Sequence, residues 1–234
     1  MFARFIAKIK DKSGIDARVV SYYSPGSVLA EQYRNIRTYI SSLNGGILCR
    51  SLCISSANSG EGKSITCVNL AVAMAEDKEK KIVIVNSDFR FGSLESLLNI
   101  KAEKGLSDYL NNQAALNEVL VPTEIENLKI LPAGNIPENP AEIFASQKLK
   151  ELVVDLEKNY NYIIFDTPAI IPFAEGKILG PCVDGVLLVV QAGKTRREVV
   201  WRIEEELKSV RAKILGVVLT NVEYYIPEYI HRHL

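Results

Sequence analysis

The sequence predicts an α/β protein: a doubly wound, mostly parallel sheet flanked by helices in a single domain. Three observations carry that reading. Apolar runs around residues 52–54, 82–85, 162–165, 185–190 and 214–219 show no polar alternation, as expected of strands buried on both faces of a parallel sheet. The stretches between them suit helices, and strand–helix alternation builds parallel crossovers. At 234 residues and 47% hydrophobic content, the chain can bury one sizeable core.

Taken in order, residues 1–26 read as an N-terminal leader, in which Phe2, Phe5, Ile6 and Ile9 can line one face of a short basic helix. Ser24-Pro25-Gly26-Ser27 is a turn, and Ser27 is placed to cap a helix over 28–43, which Asn44-Gly45-Gly46 ends. On that helix Glu31, Arg34 and Arg37 fall three apart and share a face, where they can pair or simply form a solvated charge row. Beyond the strand at 82–85, Asn86, Asp88 and Arg90 stand at or just past its carboxyl end, where open α/β sheets place ligands. Short helices are expected at 106–110 and 114–120, then a strand over 128–132. The following loop to Pro140 is rich in proline and should be rigid and exposed. A helix over 141–159 precedes the strand 162–166, which ends on Asp166. Strands at 185–191 and 214–220 enclose a helix over 196–211, with Thr195 expected to cap it and Glu198 to complete the capping box. The tail, 222–234, holds Tyr224, Tyr225 and Tyr229, and Pro227 argues against a helix there. Those tyrosines read either as aromatic anchors or as phosphate acceptors, each modification adding about −1.5 to −2 charge.

The chemistry concentrates after the first strand. Asn58-Ser59-Gly60-Glu61-Gly62-Lys63-Ser64-Ile65 lies between an apolar strand and a helical stretch. Glycines there let the backbone curl so that several N–H groups face one centre, and the helix N-terminus adds partial positive charge. In such a P-loop, Lys63 would reach the β- and γ-phosphates of ATP and the Ser64 hydroxyl would ligate Mg²⁺. The pattern G-x-x-x-x-G-K-[ST] has Ala57 at its first glycine. An aspartate closing an apolar strand in the same chain, Asp166, reads as the Mg²⁺-orienting carboxylate.

Other function classes are disfavoured. The chain balances 28 basic against 28 acidic residues, which gives no bulk electrostatic case for nucleic acid or an anionic membrane. No apolar run approaches the roughly 20 residues of a membrane helix, and the first residues show no secretory signal. Cys49, Cys53, Cys67 and Cys182 lack metal-site spacing, and Cys53 and Cys67 read as buried reduced thiols. Together these features read as a cytosolic protein.

The ordered set of motifs resembles the bacterial tyrosine kinases, autokinases of capsule and exopolysaccharide export. Glu31-x-x-Arg34-x-x-Arg37 is similar to their ring-assembly motif, and Ser59-Gly60-Glu61-Gly62-Lys63-Ser64 to their Walker A loop. Asn86-Ser87-Asp88-Phe89-Arg90 stands where their Asp-x-Asp-x-Arg motif would be, and Phe165-Asp166-Thr167-Pro168 resembles their Walker B segment. Asn139-Pro140-Ala141-Glu142, Gly193-Lys194-Thr195-Arg196-Arg197 and the tyrosine-bearing tail complete the series. The resemblance implies a P-loop kinase domain over 27–221 that binds ATP and Mg²⁺ through Lys63, Ser64, Asp88 and Asp166. It also implies phosphorylation of Tyr224, Tyr225 or Tyr229, a homo-oligomeric ring, and activation by the cytosolic segment of a membrane-spanning polysaccharide co-polymerase at the inner face of the cell membrane. Asn221, at the end of the last strand, is placed to face the adenine.

One position departs from the family. Its first aspartate, a proposed general base or metal-shell group, is Asn86 here. An amide cannot take a proton from a tyrosine hydroxyl. On this ground alone a weakened kinase and a non-catalytic ATP-binding regulator of export are rival readings, and Asn86→Asp should raise the rate. A partitioning-type ATPase is a third reading, disfavoured because Asn58 stands where those proteins carry a signature lysine. A metabolic kinase with a small-molecule acceptor is a fourth, and no motif marks its pocket.

Overall fold

A computed structural model describes residues 13–43 and 49–222. The elements follow in chain order: helices α1 (Val20–Tyr23) and α2 (Val28–Ser42), strand β1 (Ser51–Ser56), helix α3 (Lys63–Ala75), strand β2 (Ile82–Asn86), and short helices α4 (Leu94–Leu97), α5 (Leu106–Leu110) and α6 (Leu116–Val119). Strands β3 (Val121–Pro122) and β4 (Leu128–Leu131) lead to helices α7 (Pro140–Phe144) and α8 (Gln147–Asn159), strand β5 (Tyr162–Asp166) and helix α9 (Glu175–Leu179). Strand β6 (Gly185–Gln191), helix α10 (Arg197–Ser209) and strand β7 (Ile214–Thr220) close the fold.

The seven strands lie in the order β3-β4-β2-β5-β1-β6-β7. All pair in parallel except β3, which runs antiparallel to β4. The doubly wound, mostly parallel sheet read from the apolar runs is therefore present. β1 and β2 are buried at every position, and successive side chains alternate between two cores. Leu52, Ile54, Ile82, Ile84 and Ile164 face the α3 side, where Leu70 and Met74 also pack. Cys53, Val83, Val85, Ile163 and Phe165 face the other, with Leu152 and Leu156 of α8 and Ile203 and Leu207 of α10. Each such side chain contributes about 1.5–3 kcal/mol by leaving water. Cys53 and Cys67 are buried free thiols, and burial pushes Cys53 up to about 12.

Several local expectations meet a different outcome. Part of the segment read as leader is packed on the domain, since Ile15 and Val19 are buried. The side chain of Asn69 on α3 holds it there, accepting from the Ser21 N–H at 2.9 Å and donating to the Arg18 carbonyl at 3.1 Å. The helix expected over 141–159 is two helices. The turn between them holds Ser146 in an extended conformation, and its hydroxyl donates back to the Ile143 carbonyl at 2.6 Å. The two-residue β3 carries Pro122, tolerable because an edge strand leaves one N–H side unused. Ser27 does cap α2, its hydroxyl accepting from the Ala30 N–H at 3.2 Å. Thr195 does not cap α10: Arg196 holds that position and makes no side-chain capping bond.

The strand order β2-β5-β1 sets the carboxyl ends of three adjacent strands side by side. Asn86 and Ile54 both lie in register with Asp166. Three sequence segments more than 100 residues apart at the extremes thus open onto one crevice.

Candidate active site

The loop between β1 and α3 needs left-handed backbone at two places, and both are glycine: Gly60 at φ 79° and Gly62 at φ 94°. Ala57 is absent from the left-handed set, so the missing glycine of the sequence pattern costs no backbone strain. A Cβ on Gly62 would lie 3.4 Å from the Thr220 methyl group, which shows how closely β7 approaches the loop. Lys63 is the first residue of α3 and is mostly buried. The N–H groups at this helix start lack intrahelical acceptors, which suits them to an anion.

Glu61 holds the loop from within. Its carboxylate, buried to 1% exposure, accepts from the Ala57 N–H at 3.1 Å and the Asn58 amide at 3.1 Å. The Thr195 hydroxyl donates to the same carboxylate, and the Thr220 hydroxyl donates to the Glu61 carbonyl at 2.8 Å. The loop after β6 and the end of β7 therefore brace the phosphate loop through two threonines, a pairing with Glu61 that no local sequence pattern announces. Asn221 follows Thr220 directly, exposed and at φ 51°.

Asp166 is fully buried, and neither of its side-chain oxygens has a hydrogen-bond partner. Burial pushes it up to about 7; Ser64 and Lys63 pull it down, while Asp88 and Glu95 raise it further. Asp88, also buried, accepts from the Phe91 N–H at 2.9 Å and the Arg90 N–H at 3.2 Å, which fixes the turn after β2. Asn86 bridges inward, its amide donating to Glu95 at 2.6 Å and its oxygen accepting from the Asp88 N–H at 3.2 Å. Arg90 forms an ion pair of 2.6 Å with Glu175, which is 1% exposed, and its guanidinium lies 4.4 Å from the centroid of Phe173. Glu95 and Glu175 both escaped the sequence reading.

Glu31, Arg34 and Arg37 share one face of α2 and turn onto the C-terminal end of α3. Arg34 clasps Glu76 at 2.7 Å and Glu31 at 2.9 Å, while Arg37 reaches Glu76 at 2.8 Å and the Ala73 carbonyl at 2.6 Å. Cations there complement the helix dipole, and the two guanidiniums hold Glu76 below its ordinary pKa. Tyr224, Tyr225 and Tyr229 lie outside the described residues. Among the described residues no helix is long and apolar enough to cross a membrane.

A parallel sheet with a glycine-bearing loop leaving β1, Asp166 ending the adjacent β5 and Asp88 just past β2 defines a P-loop nucleotide-binding domain. Comparison narrows this class. Residues 49–216 match a family described as an AAA domain. The chain is 34% identical over 209 residues to tyrosine-protein kinase YwqD of Bacillus subtilis, covering 89% of this chain and 88% of that one. It is 31% identical over 201 residues to tyrosine-protein kinase CpsD of Streptococcus agalactiae, covering 85% and 86%. Among solved structures, the chimerical protein CapA2B2 superposes with a TM-score of 0.84 at 31% identity over 89% of this chain and 91% of that one. The chain belongs to the bacterial tyrosine-protein kinase family.

Proposed function

We propose that this protein is an ATP-dependent protein-tyrosine autokinase that phosphorylates its own C-terminal tyrosines and so regulates capsule or exopolysaccharide export. The observation that carries the reading is Asp166, a buried carboxylate with two unpartnered oxygens beside Lys63 and Ser64. Burying a carboxylate without hydrogen bonds to its oxygens is costly unless a cation meets it. Its place in the crevice fits magnesium, which the Ser64 hydroxyl, Asp88 and Asp166 would hold. Bound there, the ion would neutralise charge on the β- and γ-phosphate oxygens.

The chain's own groups do the rest. The loop's N–H groups and Lys63 bind and orient the triphosphate, and Glu61 keeps that loop in shape through its own contacts to Ala57 and Asn58. A tyrosine oxygen attacks the γ-phosphorus and gives up its proton to solvent, the bond from that phosphorus to the β–γ bridging oxygen breaks, and ADP leaves with the bond's electrons. Phosphoryl transfer depends mainly on positioning and electrostatics. Tail phosphorylation would load the C-terminus with negative charge and loosen a ring assembled through Glu31, Arg34 and Arg37, a charge-driven switch. The cytosolic segment of a membrane-spanning co-polymerase is the activating partner on this reading, which places the protein at the inner face of the membrane.

The test is incubation with ATP and Mg²⁺, with the activator present, followed by mass-spectrometric mapping. Phosphate on Tyr224, Tyr225 or Tyr229, absent from Lys63→Met, supports the kinase. An unmodified tail overturns it and leaves the ATP-binding regulator, the reading that Asn86 favours.

A further inference from the structure

The residue standing where the family carries an aspartate is not an isolated amide. Asn86 donates to the Glu95 carboxylate at 2.6 Å, and the other Glu95 oxygen accepts from the Ala133 N–H at 2.8 Å. The Asn86 oxygen meanwhile accepts from the Asp88 N–H at 3.2 Å. A carboxylate only accepts and an N–H only donates, so a single orientation of the amide satisfies both neighbours. Space confirms how closely this unit is built. A Cβ on Gly92 would fall 2.3 and 2.5 Å from the Asn86 amide atoms and 2.5 Å from the Asp88 carbonyl. Asn86 is itself in register with Asp166 across β2 and β5, and the Glu95 charge acts on Asp166.

We propose that Glu95 carries the negative charge that Asn86 lacks, so that the Asn86–Glu95 pair together does the work of one carboxylate and holds the Asp88 turn in place. Glu95 is a positioning residue: it acts through Asn86 on Asp88 and contributes charge to the crevice from behind. This deepens the kinase reading and rests on it for the crevice's purpose, whereas the pairing itself rests on geometry alone. The consequence reverses the expectation drawn from the sequence. Asn86→Asp does not restore a missing group; it sets a carboxylate against a carboxylate, and two such groups in contact cannot both ionise without cost.

The experiment is a double-mutant cycle on the full chain with Asn86→Asp, Glu95→Gln and the combination, because coupling between touching residues shows as non-additivity. Melting of the nucleotide-free protein is the first readout. Each single variant is expected to melt lower, by on the order of 3–8 °C for Asn86→Asp, and the combination, which restores one amide and one carboxylate, near wild type. Should Asn86→Asp alone fail to fold, a combined variant that folds and melts near wild type supports the pairing, and one that also fails counts against it. The second readout is calorimetric titration of Mg²⁺ into protein saturated with ADP. Glu95→Gln is expected to raise the half-saturating Mg²⁺ several-fold while ADP affinity without metal stays within about twofold, and the combination to regain Mg²⁺ affinity. A Glu95 that served structure alone would lower melting and leave the Mg²⁺ requirement untouched. The proposal is overturned by that result, by additive melting shifts, or by Asn86→Asp melting at or above wild type. None of these outcomes depends on tyrosine transfer, so the kinase reading stands or falls separately.

Discussion

Two charged clusters flank the same helix, and they differ in one respect. At the N-terminal end of α3, Asp166 is fully buried with both oxygens unpartnered, and burial pushes it up to about 7. At the C-terminal end, Glu76 is half-open to solvent and clasped by Arg34 and Arg37, which pull it down. The first cluster leaves two buried carboxylate oxygens without hydrogen bonds and so suits an added cation. The second is satisfied within one chain, so any subunit contact there must compete with bonds already made. Motif matches alone rank the two equally, and hydrogen-bond accounting separates them.

The largest effect should come from Asp166→Asn. Removing a carboxylate whose oxygens make no hydrogen bonds is expected to abolish Mg²⁺-dependent nucleotide uptake, at least about 100-fold, without lowering the melting temperature of the nucleotide-free protein. A variant that melts well below wild type would show Asp166 to be structural. An intermediate effect is expected for Thr195→Val, which withdraws the hydroxyl that ties the loop between β6 and α10 to Glu61. ADP affinity should fall about five- to tenfold, the equivalent of one hydrogen bond, and unchanged affinity would mean that the loop braces itself. The smallest is Arg34→Ala, because exposed ion pairs contribute little: melting at neutral pH should barely move, and scanning calorimetry checks this. Its pH dependence is the sharper readout. Glu76 has a depressed folded pKa, so the stability it contributes is present above the ordinary carboxylate value of about 4.3 and is lost as pH falls below it. Arg34→Ala should therefore flatten the melting profile between about pH 5 and 3, and a profile parallel to wild type would remove Glu76 from the account.

Much of the fold was legible because its signals are local. The apolar strands, the glycine-bearing loop before Lys63 and the Ser27 cap each depend on residues near one another in sequence. What escaped reading depends on distant partners. Thr195 bonds Glu61 from 134 positions away, and Arg90 meets Glu175 across 85. No periodicity announces such pairs, and Thr195 followed three residues later by Glu198 imitates a capping box that the folded chain does not use. Asn86 illustrates the same limit at the site. Read alone it is a lost carboxylate, whereas Glu95, nine residues on, turns it into half of a pair. The sequence also extended the leader to residue 26, although Ile15 and Val19 carry side chains that the α3 face of the sheet buries.

The central claim is that the crevice over β2, β5 and β1 takes a nucleotide together with a divalent cation. Isothermal calorimetry of ADP into the folded protein, with and without Mg²⁺, tests it most directly. The account expects heat of binding that strengthens when Mg²⁺ is present and loses that enhancement in Asp166→Asn. Wild-type protein that takes up neither ADP nor ATP with Mg²⁺ present would contradict it.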